Sequence, residues 1–126
     1  YLLPWWLAHH TAIAAHGIIF DYASDDGSPD ICRQYGWDVR QSRNADFNAV
    51  EVDREIMDAE REVSGWKIVL NVTEFLVGHV PSAMCGERAV LRSKIMVDAP
   101  GVADTEPDPK QSLVTQRRTG IMRTGT

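Results

Sequence analysis

The segment GIIFDYASDDGSPD, from Gly17 to Asp30, carries the strongest indication of the fold. It begins with a short apolar run, rich in β-branched and aromatic residues, between a glycine and a polar cluster, and this pattern indicates a buried strand. Ser28-Pro29-Asp30 has the residues of a helix start: a serine cap, a proline at the first helical position and an acid in the first turn. The stretch therefore predicts a strand followed directly by a helix that ends at Gly36.

Helical and strand patterns continue on both sides of this stretch. Apolar residues recur at helical spacing from Pro4 to about Ala15. Trp37–Gln41 alternates like a half-buried strand, and about Asn48 to Val63 predicts the clearest helix, with a start that resembles a capping box. The most hydrophobic stretch, Trp66–Val77, predicts a central strand covered on both faces.

This alternation of strands and helices predicts the α/β class, with a mostly parallel sheet and helices on both faces. We expect one domain over residues 1–97 and a loop-rich or disordered tail over residues 98–126, where proline and glycine are frequent and large apolar residues are few. Within the domain, Glu87–Val97 fits a strand or a helix.

Composition and charge exclude several classes of protein. The chain has 126 residues, 44% of them hydrophobic, and a formal net charge of −5, as in a soluble globular domain with a core. An acidic chain argues against a general nucleic-acid binder, and no apolar run approaches the roughly 18 residues of a transmembrane segment. Cys32 and Cys85 are too few for a disulfide framework. With no signal peptide visible, they predict buried free thiols and a cytoplasmic location.

Polar residues occur at the ends of two predicted strands. Because ligands bind outside the carboxyl ends of parallel strands, Asp21–Ser28 and Asn71-Val72-Thr73-Glu74 are candidate sites. The first segment also has the composition of a solvated turn, and the second could be a strand that reaches the surface. Glu74 lies among apolar residues, where a carboxylate is costly unless it is paired or bound to metal.

Three segments in this order resemble a known family: LPWWLAHH (Leu3–His10), DYASDDGS (Asp21–Ser28) and NVTEFL (Asn71–Leu76). Together they are similar to the nucleotide-binding half of family-2 glycosyltransferases of the GT-A fold. The closest likeness is to the subgroup with a W-x-x-H-H helix, a D-x-x-S-x-D-G-S turn and a D-x-D-E-F-L strand. The resemblance covers about residues 1–78 and implies a partial GT-A fold. The family's first strand and acceptor half are not in the sequence, so we expect a fragment or a shortened relative.

The resemblance implies a site for a nucleoside diphosphate sugar, with a carbohydrate or glycan hydroxyl as acceptor. Asp21 would face the nucleoside, and the turn residues Ser24, Asp26 and Gly27 would shape the pocket. Arg43, in the segment that borders the donor, would contact the diphosphate.

The metal motif of the family is altered in this chain. The family's two D-x-D acids bind Mn²⁺ or Mg²⁺, which neutralises the leaving diphosphate, but Asn71 and Thr73 occupy those positions and only Glu74 keeps a charge. Asn71 and Thr73 stay among the implied donor-binding residues. Three explanations are open: Glu74 binds the metal, no metal is needed, or the site no longer catalyses. Asp98 is the candidate for the general base.

The leading hypothesis is a glycosyltransferase-like domain that transfers the sugar with inversion. A second is a non-catalytic relative that keeps only the nucleotide crevice. A third is an unrelated small α/β protein, such as a flavodoxin-like regulator, which requires a different strand order.

Overall fold

The computed structural model describes residues 2–44 and 46–78, Lys110, and the backbone of residues 94–97 and 121–124. The chain divides into two compact units, Tyr1–Phe75 and Leu76–Thr126. No helix in the described part of the chain is long and apolar enough to cross a membrane.

The described residues of the first unit form three helices and two strands. In chain order these are α1 (Leu3–Thr11), β1 (Ile18–Asp21), α2 (Ser28–Gln34), β2 (Asp38–Gln41) and α3 (Ala49–Glu62). The two strands pair in parallel, with Ile18 opposite Asp38 and Asp21 opposite Gln41. The unit is therefore a mixed α/β fold with a two-stranded parallel sheet, which confirms the predicted class.

The second unit contains an antiparallel pair, β3 (Lys94–Val97) and β4 (Ile121–Thr124), in which Val97 lies opposite Ile121. β3 resolves the end of the ambiguous Glu87–Val97 segment as a strand. β4 is a four-residue strand within the segment 98–126 that the sequence predicts to be loop-rich.

A small apolar core holds the first unit together. Its buried members are Trp6 and Leu7 from α1 and Cys32 from α2. Seven half-buried residues pack against them: Leu3, Ile19, Ile31, Trp37, Val39, Leu70 and Phe75. Cys32 is 1% exposed and free, which confirms its predicted burial, and this burial raises the pKa of its thiol. Cys85 lies outside the described residues.

The predicted central strand over Trp66–Val77 is wrong. These residues form no strand, and Asn71 to Glu74 make a turn in which the Glu74 amide donates to the Asn71 carbonyl oxygen at 2.9 Å. A strand needs a neighbour for its backbone hydrogen bonds, and none of the described strands pairs with this segment. Leu70 and Phe75 nevertheless pack against the core.

Two of the three helices have boundaries that differ from the predictions. α1 ends at Thr11 rather than near Ala15, because the residues that follow are exposed and bury no apolar face. α2 is capped by Gly27 in the left-handed conformation, at φ 77°, so Ser28 is the first helical residue rather than the cap. α3 begins as predicted, with the Asn48 side chain accepting from the Val50 amide at 3.1 Å.

Gly17 is a packing requirement for the start of the sheet. Its carbonyl oxygen accepts the Asp38 amide at 2.9 Å, which brings β2 alongside the residue before β1. A Cβ built at this position would overlap the indole ring of Trp37. That ring packs edge-on against Trp6, with ring centroids 5.0 Å apart, and cannot withdraw without opening the core.

We therefore expect Gly17→Ala to destabilise the first unit by about 1–3 kcal/mol, the usual cost of overpacking. Chemical denaturation with far-UV circular dichroism measures the loss. The control is the same change in a Trp37→Val chain, where the smaller side chain leaves room for the methyl group and the loss should be smaller. Equal losses in both backgrounds would contradict the overlap with the indole ring.

Candidate functional site

An open hollow of about 470 Å³ lies at the carboxyl ends of β1 and β2. The residues that line it include Asp21, Ser24 and Gly27 from the first candidate segment, and Gln41 from the end of β2. Asp21 and Gln41 lie close together because they are opposite each other in the last residue pair of the parallel β1–β2 ladder. The Gln41 amide donates to the Asp21 carbonyl oxygen at 3.0 Å, which ties the two strand ends together.

The turn after β1 is organised by its own acidic side chains. The Asp21 carboxylate accepts the Ser24 amide at 3.3 Å, and Asp26 accepts the Ser28 amide at 3.0 Å. Ala23 takes a left-handed conformation, at φ 55°, an uncommon backbone conformation for a non-glycine residue. This turn directs the chain from the sheet into α2 and leaves the hollow open to solvent.

The hollow is acidic. Asp21, Asp25 and Asp30 line it together with one cation, Arg33. Arg33 is already bonded to Asp30 at 2.7 Å across one turn of α2. A site of this charge favours hydrogen-bond donors and cations over bare anions.

A second polar cluster is centred on Glu55 in α3, which is only 5% exposed. Its carboxylate accepts the Ser42 hydroxyl at 2.7 Å, the Arg43 backbone amide, and the Asn44 side-chain amide at 3.2 Å. These hydrogen bonds, led by the one from the Arg43 amide, hold the pKa of Glu55 below its ordinary range. Glu55 therefore fixes the loop that leaves β2.

The structure places Arg43 in this cluster rather than in the hollow. Its guanidinium contacts Asp58 at 2.9 Å and Glu55 at 3.4 Å, and it is not among the residues that line the hollow. These two contacts use two of the five guanidinium N–H groups, so a diphosphate would compete with the carboxylates for the charge of Arg43 without having to displace either one. Its implied role stays a prediction.

The segment with the altered metal motif also has its own hydrogen bonds. The Glu74 carboxylate accepts the backbone amide of Asn71 at 2.7 Å and its side-chain amide at 3.2 Å. Glu74 is exposed, so the cost of burial expected from the sequence does not arise. Asn71, Thr73 and Glu74 do not line the hollow.

The sequence prediction placed some site residues and missed others. Among the described residues, no group of three His, Cys, Asp or Glu side chains has the arrangement of a metal site, and Asp98 lies outside those residues. Arg33 and Gln41 line the hollow but were not predicted, whereas Asp25 belongs to the candidate segment Asp21–Ser28 without being one of the implied donor-binding residues. Gln41 could have been found, because the rule that selects Asp21 at the end of one parallel strand applies equally to its neighbour.

No family model, curated protein or solved structure matches this chain.

The Glu55 cluster yields a prediction about stability. Glu55→Gln replaces a buried charged acceptor with a neutral amide and should lower the free energy of unfolding at pH 7 by about 1–3 kcal/mol. Glu60→Gln, at an exposed position of the same helix, is the control and should change the free energy by less than about 0.5 kcal/mol.

The same variants test the pH dependence. Because the folded-state pKa of Glu55 is depressed, its stabilising contribution is complete above the ordinary glutamate pKa of about 4.3 and is lost as the pH falls below that value. The difference between the original chain and Glu55→Gln should therefore shrink on acidification. Urea titrations from pH 7 to pH 3 measure this, and a difference that is constant with pH would contradict the assignment.

Proposed function

We propose that the first unit binds a nucleoside diphosphate sugar and belongs to a glycosyltransferase-like domain that transfers the sugar to a carbohydrate hydroxyl with inversion. One observation carries the proposal: the hollow at the carboxyl ends of the parallel strands gathers Asp21, Ser24 and Gly27. These are three of the four turn residues that the family resemblance implies for the donor pocket. A partial GT-A fold is the corresponding proposal for the architecture.

The chemistry of the hollow suits the nucleoside end of such a donor. The Asp21 carboxylate can accept from a ring N–H of a uracil or guanine base, a charge-assisted hydrogen bond. Gln41 adds a side-chain amide at the same edge of the sheet. The backbone at Gly27, with its positive φ, lets a ligand approach without meeting a Cβ.

The charge of the hollow bears on the diphosphate end. Three aspartates against one arginine repel a bare diphosphate. A divalent cation such as Mn²⁺ or Mg²⁺ removes this repulsion, because it bridges carboxylate and phosphate oxygens. We therefore include a metal in the proposal and expect donor binding to depend on it.

The expected result is that UDP- or GDP-sugars raise the melting temperature of the chain in the presence of Mn²⁺. Asp21→Asn keeps a side-chain oxygen for the Ser24 amide but removes the charge, and it should weaken binding by about tenfold, the value of one charge-assisted hydrogen bond. Asp53→Asn, the same change on an exposed helical residue, is the control and should leave the affinity unchanged. Isothermal titration calorimetry measures all three chains.

Absence of binding by any of these nucleotide sugars, with or without Mn²⁺, in a chain that unfolds cooperatively would overturn the proposal. Equal weakening by the two variants would show that net charge, rather than the hollow, governs binding.

The second candidate is a non-catalytic relative that keeps only the nucleotide crevice. It is favoured by the turn at residues 71–74, where Glu74 is hydrogen-bonded to Asn71 and no second acid accompanies it. Release of the nucleoside diphosphate from a bound donor separates the two candidates. Turnover by the unmodified chain supports the transferase, whereas binding without turnover supports the relative.

A further inference from the structure

The sequence of α3 and its C-cap is a seven-residue repeat in which each position keeps its chemistry. Val50–Ile56 reads VEVDREI and Met57–Val63 reads MDAEREV. In both, the first, third and seventh positions are apolar, the second, fourth and sixth are acidic, and the fifth is arginine. A seven-residue period keeps one line of side chains facing a partner helix.

The repeat provides two apolar lines rather than one. The third and seventh positions face inward, where Val52 and Ile56 are half-buried and Ala59 is buried. The first positions face outward, where Val50 is 57% exposed and Met57 is 51% exposed. The inward line packs α3 in its own unit. The outward line is exposed and has no part in that packing.

Phe47 is a third exposed apolar side chain, just before the start of α3. It directly precedes the helix cap Asn48, a position from which an apolar side chain usually packs back on the first turns of the helix. Phe47 is instead 77% exposed. Val50 and Met57 therefore face solvent along one side of α3, and Phe47 is exposed next to its first turn.

The two borders of this outward line have opposite charge. At about 100° per residue, Asp53 and Glu60 fall on one side of the Val50–Met57 line. Both are exposed, and neither makes an ion pair with another residue in the described part of the chain. On the other side lie two exposed arginines, Arg54 and Arg61, which are paired with Glu51 and Asp58 of the same helix.

The opposite charges on the two borders favour a second copy of the chain, packed with its α3 parallel to the first. A second copy packed with its α3 parallel to the first, around a two-fold axis along the helices, places the acidic border of each copy against the arginine border of the other, on both sides of the seam. An antiparallel two-fold pair would place acid against acid and arginine against arginine. A uniformly basic or acidic helix would complement one border and be repelled by the other.

We propose that the outward face of α3 is a self-association surface on which two copies of this chain pair through parallel α3 helices. Val50 and Met57 form the apolar seam, and Asp53 and Glu60 of one copy bond Arg54 and Arg61 of the other. The ion pairs within each helix are exposed and weak, so the arginines can bond the second copy at little cost. The proposal is independent of the nucleotide site.

The test is the dependence of molecular mass on concentration, measured by sedimentation velocity on the full chain. We expect a reversible monomer–dimer equilibrium in the micromolar range, since α3 offers only two repeats. Asp53→Arg with Glu60→Arg makes both borders basic, and Arg54→Glu with Arg61→Glu makes both acidic. Each double variant alone should have a dissociation constant raised at least tenfold, whereas an equimolar mixture of the two should form a heterodimer.

Formation of a heterodimer in the mixture would show that each double variant is folded and has lost only its complementary charges, because two misfolded chains would not form a defined dimer. Met57→Asp should also abolish the dimer. Val69→Asp is the control, since Val69 is 53% exposed outside α3, and it should leave the dimer intact. A chain that is monomeric over about two decades of concentration would overturn the proposal. So would a dimer that Val69→Asp abolishes equally, or a mixture that stays monomeric.

Discussion

The buried side chain of Trp6 makes contacts with more elements of the first unit than its place on one short helix would suggest. Its ring packs with Leu7 and Cys32 in the core and meets Trp37 edge-on, and its indole Nε1 donates to the Glu74 carbonyl oxygen at 2.8 Å. One side chain therefore connects α1 to α2, to the start of β2 and to the segment after α3. A tryptophan buries a large apolar area but keeps a polar N–H that needs a partner, and the carbonyl of Glu74 is that partner.

Two acidic residues, the half-buried Asp21 and the buried Glu55, each hold one loop at the carboxyl end of the sheet. Asp21 shapes the turn after β1, whereas Glu55 reaches across from α3 and holds the loop after β2. On one side of the hollow is the turn after β1, which its own carboxylates stabilise. On the other side is the end of β2, and Glu55 of α3 holds the loop that follows it. These hydrogen bonds hold the two strand ends in place, which would reduce the conformational entropy lost if a ligand bound there.

The sequence predicted the elements that depend on residues close together in the chain, and it failed where an element depends on a distant partner. The extent of α3 follows from apolar spacing and from Asn48 at its start, both of which act within one helix, and Asp21 followed from its place after an apolar run. Trp66–Val77 has an equally strong strand pattern, but a strand depends on a neighbour far along the chain that no local pattern specifies. Glu55 was missed although it lies on the apolar face between Val52 and Ala59, where an acid signals a buried hydrogen-bonded role.

The hydrogen bond from Trp6 to Glu74 joins residues 68 positions apart, and this separation has a consequence for folding kinetics. α1, β1 and β2 can form from nearby residues, but the core is complete only when residues 70–75 return to it. Closing so long a loop costs entropy before any contact rewards it. Until that loop closes, the Trp6 indole N–H is without its carbonyl partner, Glu74. We therefore expect α1 to pack first against α2 and Trp37 and to complete its contacts only when residues 70–75 join the core.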